Sequence, residues 1–258
     1  ETFLEMAAWY SNLGRPGDAA WLLALSPVTP EVLYWRAWLL READAAASRA
    51  LLAQASAGSP ALTFPFRAES VPVFRWAMAQ SDAWQPRYYL ALLELGRGNA
   101  AQAHRLLEAL GQRPSFAPFY ALRAGLDGTT REAALTDLTQ AMELDPAEWR
   151  FARQLIERHL ADGRFAEAVT AGRRATTRSP TNYVLGMLLA RSLLLAGESG
   201  DALGVLGGLK VLPYEGAVGG RRLYREAHLR LAIAEMASDA PAARRHVQEA
   251  QAWPEHLG

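Results

Sequence analysis

The sequence predicts an all-α protein, a stack of about seven antiparallel helix pairs with one extra helix inserted among them. Three observations carry this. Alanine and leucine dominate a chain that is half hydrophobic and has few β-branched residues, a balance that favours helix. Apolar residues recur at helical spacing along most of its 258 residues. The stretch from Ser115 to Pro180 also repeats itself: Ala134, Ala141 and Pro146 are answered 34 residues later by Ala168, Ala175 and Pro180. Small residues seven apart, closed by a proline at that period, describe a helix–turn–helix unit.

The chain opens in helical pattern. Phe3, Met6, Ala7 and Tyr10 form one stripe of a helix over 2–13; Gly14 to Gly17 turns the chain, and Asp18 begins the return helix, which Ser26-Pro27 closes. A short loop between two helices makes them antiparallel neighbours. Pro30 starts a second pair, with Val32, Leu33, Tyr34, Trp35, Trp38 and Leu39 in its first helix and Asp44 as cap of its second. Its turn lacks a glycine. From Ala61 to Asp82 there is room for a single helix, over 67–80, with Pro72 either in its first turn or kinking it. Phe64-Pro65-Phe66 ahead of it reads as an extended anchor laid against neighbouring helices.

Periodicity resumes at Trp84 and runs through Gly96-Arg97-Gly98 to Ala103, Leu106, Leu107, Leu110 and Pro114. The duplicated stretch follows, then a unit with Leu189, Ala190, Gly197 and Ala202, closing near Pro213. Gly204, Gly207 and Gly208 weaken its second helix, each by about 1 kcal/mol relative to alanine in a helix interior. A glycine-rich loop lies near 204–220, and the last pair spans 221–237 and 240–253. Ala134, Ala168, Ala202 and Ala243 are the expected crossing points, because paired helices approach closely only where side chains are small. No cap follows the last pair at Leu257-Gly258, and the chain reads as one repeat domain over 1–258 cut from something longer.

The run Ala141-Met142-Glu143-Leu144-Asp145-Pro146 resembles the end of a tetratricopeptide repeat, and Phe119-Tyr120-Ala121-Leu122 stands where that family has two large aromatics and a leucine. Arg123 replaces the small residue expected next, and Ala152 the usual tryptophan. The resemblance implies a right-handed α-α superhelix whose first helices line a groove for peptides or partner proteins. Carried over by this sequence's own turns and alanines, the groove positions include Tyr88, Tyr120, Arg150, Arg153, Arg191, Arg225 and His228. The stripe so implied begins aromatic and becomes arginine-rich. More weakly, Phe64-Pro65-Phe66-Arg67, Leu212 to Gly216 and Trp253 to Gly258 resemble the helical tail of a bacterial family whose larger members carry a β-rich, carbohydrate-active-like domain.

Charge supports no nucleic-acid partner. Lys plus Arg equals Asp plus Glu at 27 each, and both halves of the chain, divided after Thr129, are balanced. There is no cysteine, hence no disulfide, thiolate metal site or cysteine nucleophile. No apolar run has the ~18 residues of a membrane span, and cytoplasmic is only a default compartment. His104, His159, His228, His246 and His256 show no metal-ligand spacing. The glycines near Lys210 lack the phosphate-loop order, and Tyr214 and Glu215 are the residues on that loop with most scope for a role. The eight tryptophans read mainly as packing.

The expected function is therefore a non-catalytic scaffold, without cofactor or metal, that binds a protein or peptide; an arginine-lined groove favours one rich in acid groups, since arginine's planar fork suits carboxylates. Pairing of these arginines with Glu148, Glu157 or Glu226 would instead make them an ordinary wet helix face. A homo-oligomer is compatible with either reading. The alternative is an accessory or dimerisation region of a carbohydrate-processing enzyme whose catalytic part lies outside this chain.

Overall fold

The computed structural model describes residues 2–212 and 218–258. Among them are fifteen α-helices, one short 3-10 turn and no strand. The chain divides into two compact units, Glu1–Thr130 and Arg131–Gly258. The division falls inside the first copy of the 34-residue motif, where the sequence predicts one uninterrupted array.

The first unit holds α1 (Thr2–Asn12), α2 (Pro16–Ala24), α3 (Pro30–Leu40), α4 (Ala45–Ala57), α5 (Ser70–Gln80), α6 (Gln85–Gly96), α7 (Ala100–Glu108) and α8 (Ala117–Ala124). Helices α1/α2, α3/α4 and α6/α7 form pairs, and α5 is the inserted helix, packed on α3 and α6. Phe74 of α5 explains why the insertion is tolerated. Its ring sits 5.6 Å from Tyr34 of α3 and 5.4 Å from Tyr89 of α6, so one aromatic cluster joins all three helices. Polar groups reinforce the joint: Trp35 Nε1 donates to Ser70 Oγ at 2.9 Å, and Ser70 Oγ donates to Glu31 Oε1 at 2.8 Å. Pro72 lies in the first turn of α5, where a missing N–H costs nothing.

The second unit holds α9 (Arg131–Leu144), α10 (Trp149–Ala161), α11 (Phe165–Arg178), α12 (Tyr183–Leu195), α13 (Ser199–Gly207), α14 (Gly219–Glu235) and α15 (Ala240–Glu249). Its pairs are α10/α11, α12/α13 and α14/α15; α12 and α14 each also meet both helices of the pair before, and α10 meets α9. Ala134, Ala168 and Ala202 are wholly buried and Ala243 nearly so, as crossing points require. Successive pairs approach closely at Gly172 of α11, where an added Cβ would lie 3.1 Å from Leu189 Cδ1 and 3.4 Å from Leu189 Cα.

Turns inside the pairs follow one rule. Gly14, Gly98, Gly163 and Gly197 all adopt positive φ, and the residue after each donates its N–H to a carbonyl five residues back, as Arg164 does to His159 at 2.9 Å. This is the left-handed glycine stop that satisfies the last helical carbonyls. The glycine-free turn after α3 uses a different device, Asp44 N–H on Leu40 O at 2.8 Å, with the Asp44 carboxylate capping Ala47 N–H.

Three expectations are corrected. Burial alternates along residues 63–66: Thr63 and Pro65 are buried, while Phe64 and Phe66 are 70% and 62% exposed. The proline, not the aromatics, anchors the segment. Tryptophan is less of a core residue than composition suggests. Trp35 is buried, but Trp9 and Trp21 are 75% and 66% exposed, and Trp253 instead lies under the Arg221 guanidinium at 3.9 Å. The C-terminal residues are not loose either. Leu257 is fully buried with Ala190, Leu206, Leu209 and Val211, and Val211 N–H donates to His256 O at 2.9 Å.

Candidate functional site

Each first helix of a pair buries one stripe against its own second helix and leaves another free, and the expected groove residues fall on both kinds of stripe. Arg150, Arg153, Arg191 and Arg225 are exposed on α10, α12 and α14 of the second unit. Two of them have carboxylate partners close by in sequence. Arg150 Nη1 donates to Glu148 Oε2 at 2.9 Å, and Arg153 Nε to Glu157 Oε1 at 2.8 Å. Such exposed pairs contribute little, about 0.3–0.5 kcal/mol for an i,i+4 pair on a helix.

The other two differ. Glu226, the neighbour that could neutralise Arg225, is held by Arg230 at 2.7 Å, and Arg230 is itself tied to Leu194 O at 2.9 Å. No described side chain within ion-pair distance neutralises Arg191 or Arg225. By contrast Arg173, on the second helix α11, is bound by both Glu198 at 3.2 Å and Asp201 at 2.7 Å.

Tyr88, Tyr120 and His228 are corrections, because their side chains are buried and cannot line an open groove. Tyr88, in the first unit, is enclosed by Trp84, Phe116 and Phe119 at 5.9, 5.8 and 6.2 Å, and burial pushes its phenol up to about 12. Tyr120, in the same unit, turns its hydroxyl inward to donate to Pro114 O at 2.8 Å. His228 faces α15. Its Nδ1 is 2.8 Å from Nδ1 of His246, and the Tyr224 ring meets it edge-on at 4.5 Å. The fifth position of α14 thus looks into its own pair.

Arg123, at the position where the repeat has a small residue, has a structural role that the sequence reading did not assign. It is buried, its Nη1 donates to Leu107 O at 3.3 Å and Gly111 O at 2.8 Å, and its guanidinium lies over Phe119 at 4.8 Å. It serves as a cap on the carbonyls ending α7. An arginine in a small-residue position was the only signal. Tyr214 and Glu215 lie outside the described residues. Among the described residues no cluster of His, Asp or Glu could hold a metal ion, and no helix is long and apolar enough to cross a membrane.

The sequence matches no protein-family profile and no curated protein. Solved structures resemble it in fold at low identity. The C-terminal part of a TPR repeat-containing protein from Cytophaga hutchinsonii is 11% identical over 98% of this chain and 97% of that one, with a TM-score of 0.48. A tetratricopeptide repeat protein from Parabacteroides merdae is 14% identical over 98% of each chain, with a TM-score of 0.43. Human IFIT1, solved with m7Gppp-AAAA, is 18% identical over 94% of this chain and 66% of its own, with a TM-score of 0.40.

Proposed function

We propose that this chain is a non-catalytic interaction scaffold whose second unit binds an acidic peptide segment along the first helices α10, α12 and α14. The observation that supports this most directly is Arg191 and Arg225, exposed on successive first helices and without a carboxylate of their own among the described residues. An exposed guanidinium keeps its five donors free for a planar bidentate acceptor. Arg150 and Arg153 exchange weak surface partners for the ligand's carboxylates, an exchange that costs little.

The experiment is fluorescence anisotropy with a labelled oligo-glutamate peptide and, beside it, a single-stranded oligonucleotide of equal charge. The peptide is expected to bind with an affinity that falls as salt rises. Arg191→Glu with Arg225→Glu should weaken it at least tenfold, equivalent to about 1.4 kcal/mol. Equal binding by wild type and the doubly reversed protein removes the arginine surface from consideration. Tighter binding of the oligonucleotide transfers the same surface to nucleic acid.

A further inference from the structure

Helix α5 belongs to no pair, and it does not pack as a following helix packs elsewhere. In the second unit α12 lies against both α10 and α11, whereas α5 lies on α3 and α6 and makes little contact with α4. Between α4 and α5, inside the first unit, a cavity of about 350 Å³ remains. Leu52 of α4, which is buried, and Trp76 of α5, which is half-buried, give it an apolar wall. Concave sites with apolar walls and a few placed polar groups are where small molecules bind.

The polar lining consists mainly of donors. Arg41, just past the end of α3, is held in place: its Nη1 donates to Trp38 O at 2.6 Å, and its guanidinium lies over the Trp38 ring at 4.4 Å. Arg49 of α4 is exposed, and no described side chain within ion-pair distance neutralises it. Gln80 and Trp76 carry further N–H donors on the α5 side. Among the described residues of the lining Glu42 is the one carboxylate, a solvent-exposed group 3.6 Å from Arg41 Nε. Two guanidiniums against one carboxylate leave a single positive charge.

We infer that the cavity between α4 and α5 binds a small aromatic carboxylate. Arg49 takes the carboxylate on its planar fork, and Arg41 adds a second cation already fixed in position, which lowers the ordering cost of binding. The ligand's ring lies against Trp76 and Leu52, where offset or edge-on contact with the indole adds to the area buried. A monoanion balances the single positive charge, whereas a phosphate dianion would leave a negative charge uncompensated. The site lies in the first unit and does not depend on the arginine surface of the second.

Benzoate is the probe, followed through the indole N–H resonance of Trp76 in proton–nitrogen correlation spectra and assigned by its loss in Trp76→Phe. The resonance should shift and saturate with a Kd of about 1 mM or below. Benzamide, which keeps the ring without the charge, and acetate, which keeps the charge without the ring, should each bind at least tenfold more weakly. Arg49→Gln replaces an exposed side chain, so it should keep its helical circular dichroism. It should weaken benzoate at least tenfold yet leave benzamide unchanged, a split that a merely structural arginine would not produce. Arg191→Glu with Arg225→Glu should bind benzoate as wild type does, which separates this site from the peptide surface. The inference is overturned by an unmoved Trp76 resonance up to about 10 mM benzoate, or by benzoate affinity unchanged in Arg49→Gln. Equal binding of benzamide or acetate also overturns it, and inorganic phosphate that competes as well as benzoate reduces the cavity to a general anion site.

Discussion

The Nδ1 atoms of His228 and His246 lie 2.8 Å apart across the α14/α15 pair. A contact this short requires one ring to donate and the other to accept, so the two facing nitrogens share a single hydrogen. Burial and then the neighbouring His246 hold His228 below its ordinary pKa. The groups around the pair are Tyr224, whose hydroxyl donates to Glu249 at 3.1 Å, and Glu235, 3.5 Å from His246 Nε2.

A pH dependence follows from that depression. In the unfolded chain His228 takes up a proton near pH 6.5, whereas the folded site resists it until lower pH. Stability is therefore complete above the unfolded value and declines as pH falls below it. Thermal melts from about pH 7.5 to about pH 5.5 should show falling midpoints, and His228→Leu should flatten that slope. An unchanged slope in the variant would assign the titration to other groups.

Arg123 should prove structural. Removing it takes the charged donor from the Gly111 carbonyl and one of two donors from Leu107 O, which keeps Leu110 N–H at 3.1 Å, and hydrogen bonds from charged donors contribute about 1.5–3 kcal/mol. Arg123→Met keeps much of the apolar stem yet should lower the urea unfolding free energy by about 2 kcal/mol. A variant as stable as wild type would mean that water serves those carbonyls equally well.

Gly186 sets two effects against each other. Alanine there gains about 1 kcal/mol of helix propensity. Its Cβ, however, would overlap Leu209 Cδ2 and lie 3.2 and 3.3 Å from Leu209 Cδ1 and Cγ, so turning one methyl does not clear it. Overpacking costs about 1–3 kcal/mol, so Gly186→Ala should be destabilising by up to about 2 kcal/mol. Adding Leu209→Ala should give a double variant less unstable than the sum of the single ones, measured by a denaturation cycle.

Leu257 offers the largest single loss. It is wholly buried, and truncating a buried leucine to alanine costs about 2–5 kcal/mol. Leu257→Ala should also expose the Val211 amide, whose partner is the carbonyl of His256, to rapid hydrogen exchange. Continued protection of that amide would show that the C-terminal turn is held by Arg221 and Trp253 instead.

The helix pairs were legible because their signals are local. Glycine at the turn, alanine at the crossing and proline after the stop act over a few residues, and the structure places them at Gly163, Ala168 and just after α11. The binding surface was legible only in part. Whether a residue on α6 or α14 faces outward depends on helix rotation and on what lies over it. Phe116 closes over Tyr88, and His228 meets His246 across the α14/α15 pair.

Local sequence by itself determined that this chain is helical, where its helices turn, and that one unpaired helix interrupts them between residues 61 and 82. Tertiary structure alone decided which arginines have a partner among the described residues, because nothing in the sequence says what closes on Arg123 or what draws Glu226 from Arg225. One is enclosed by carbonyls and aromatic rings; the other loses its nearest carboxylate to Arg230. The reason is physical: helix formation is read from neighbours along the chain, whereas exposure and charge pairing depend on residues that only packing brings within a few ångströms.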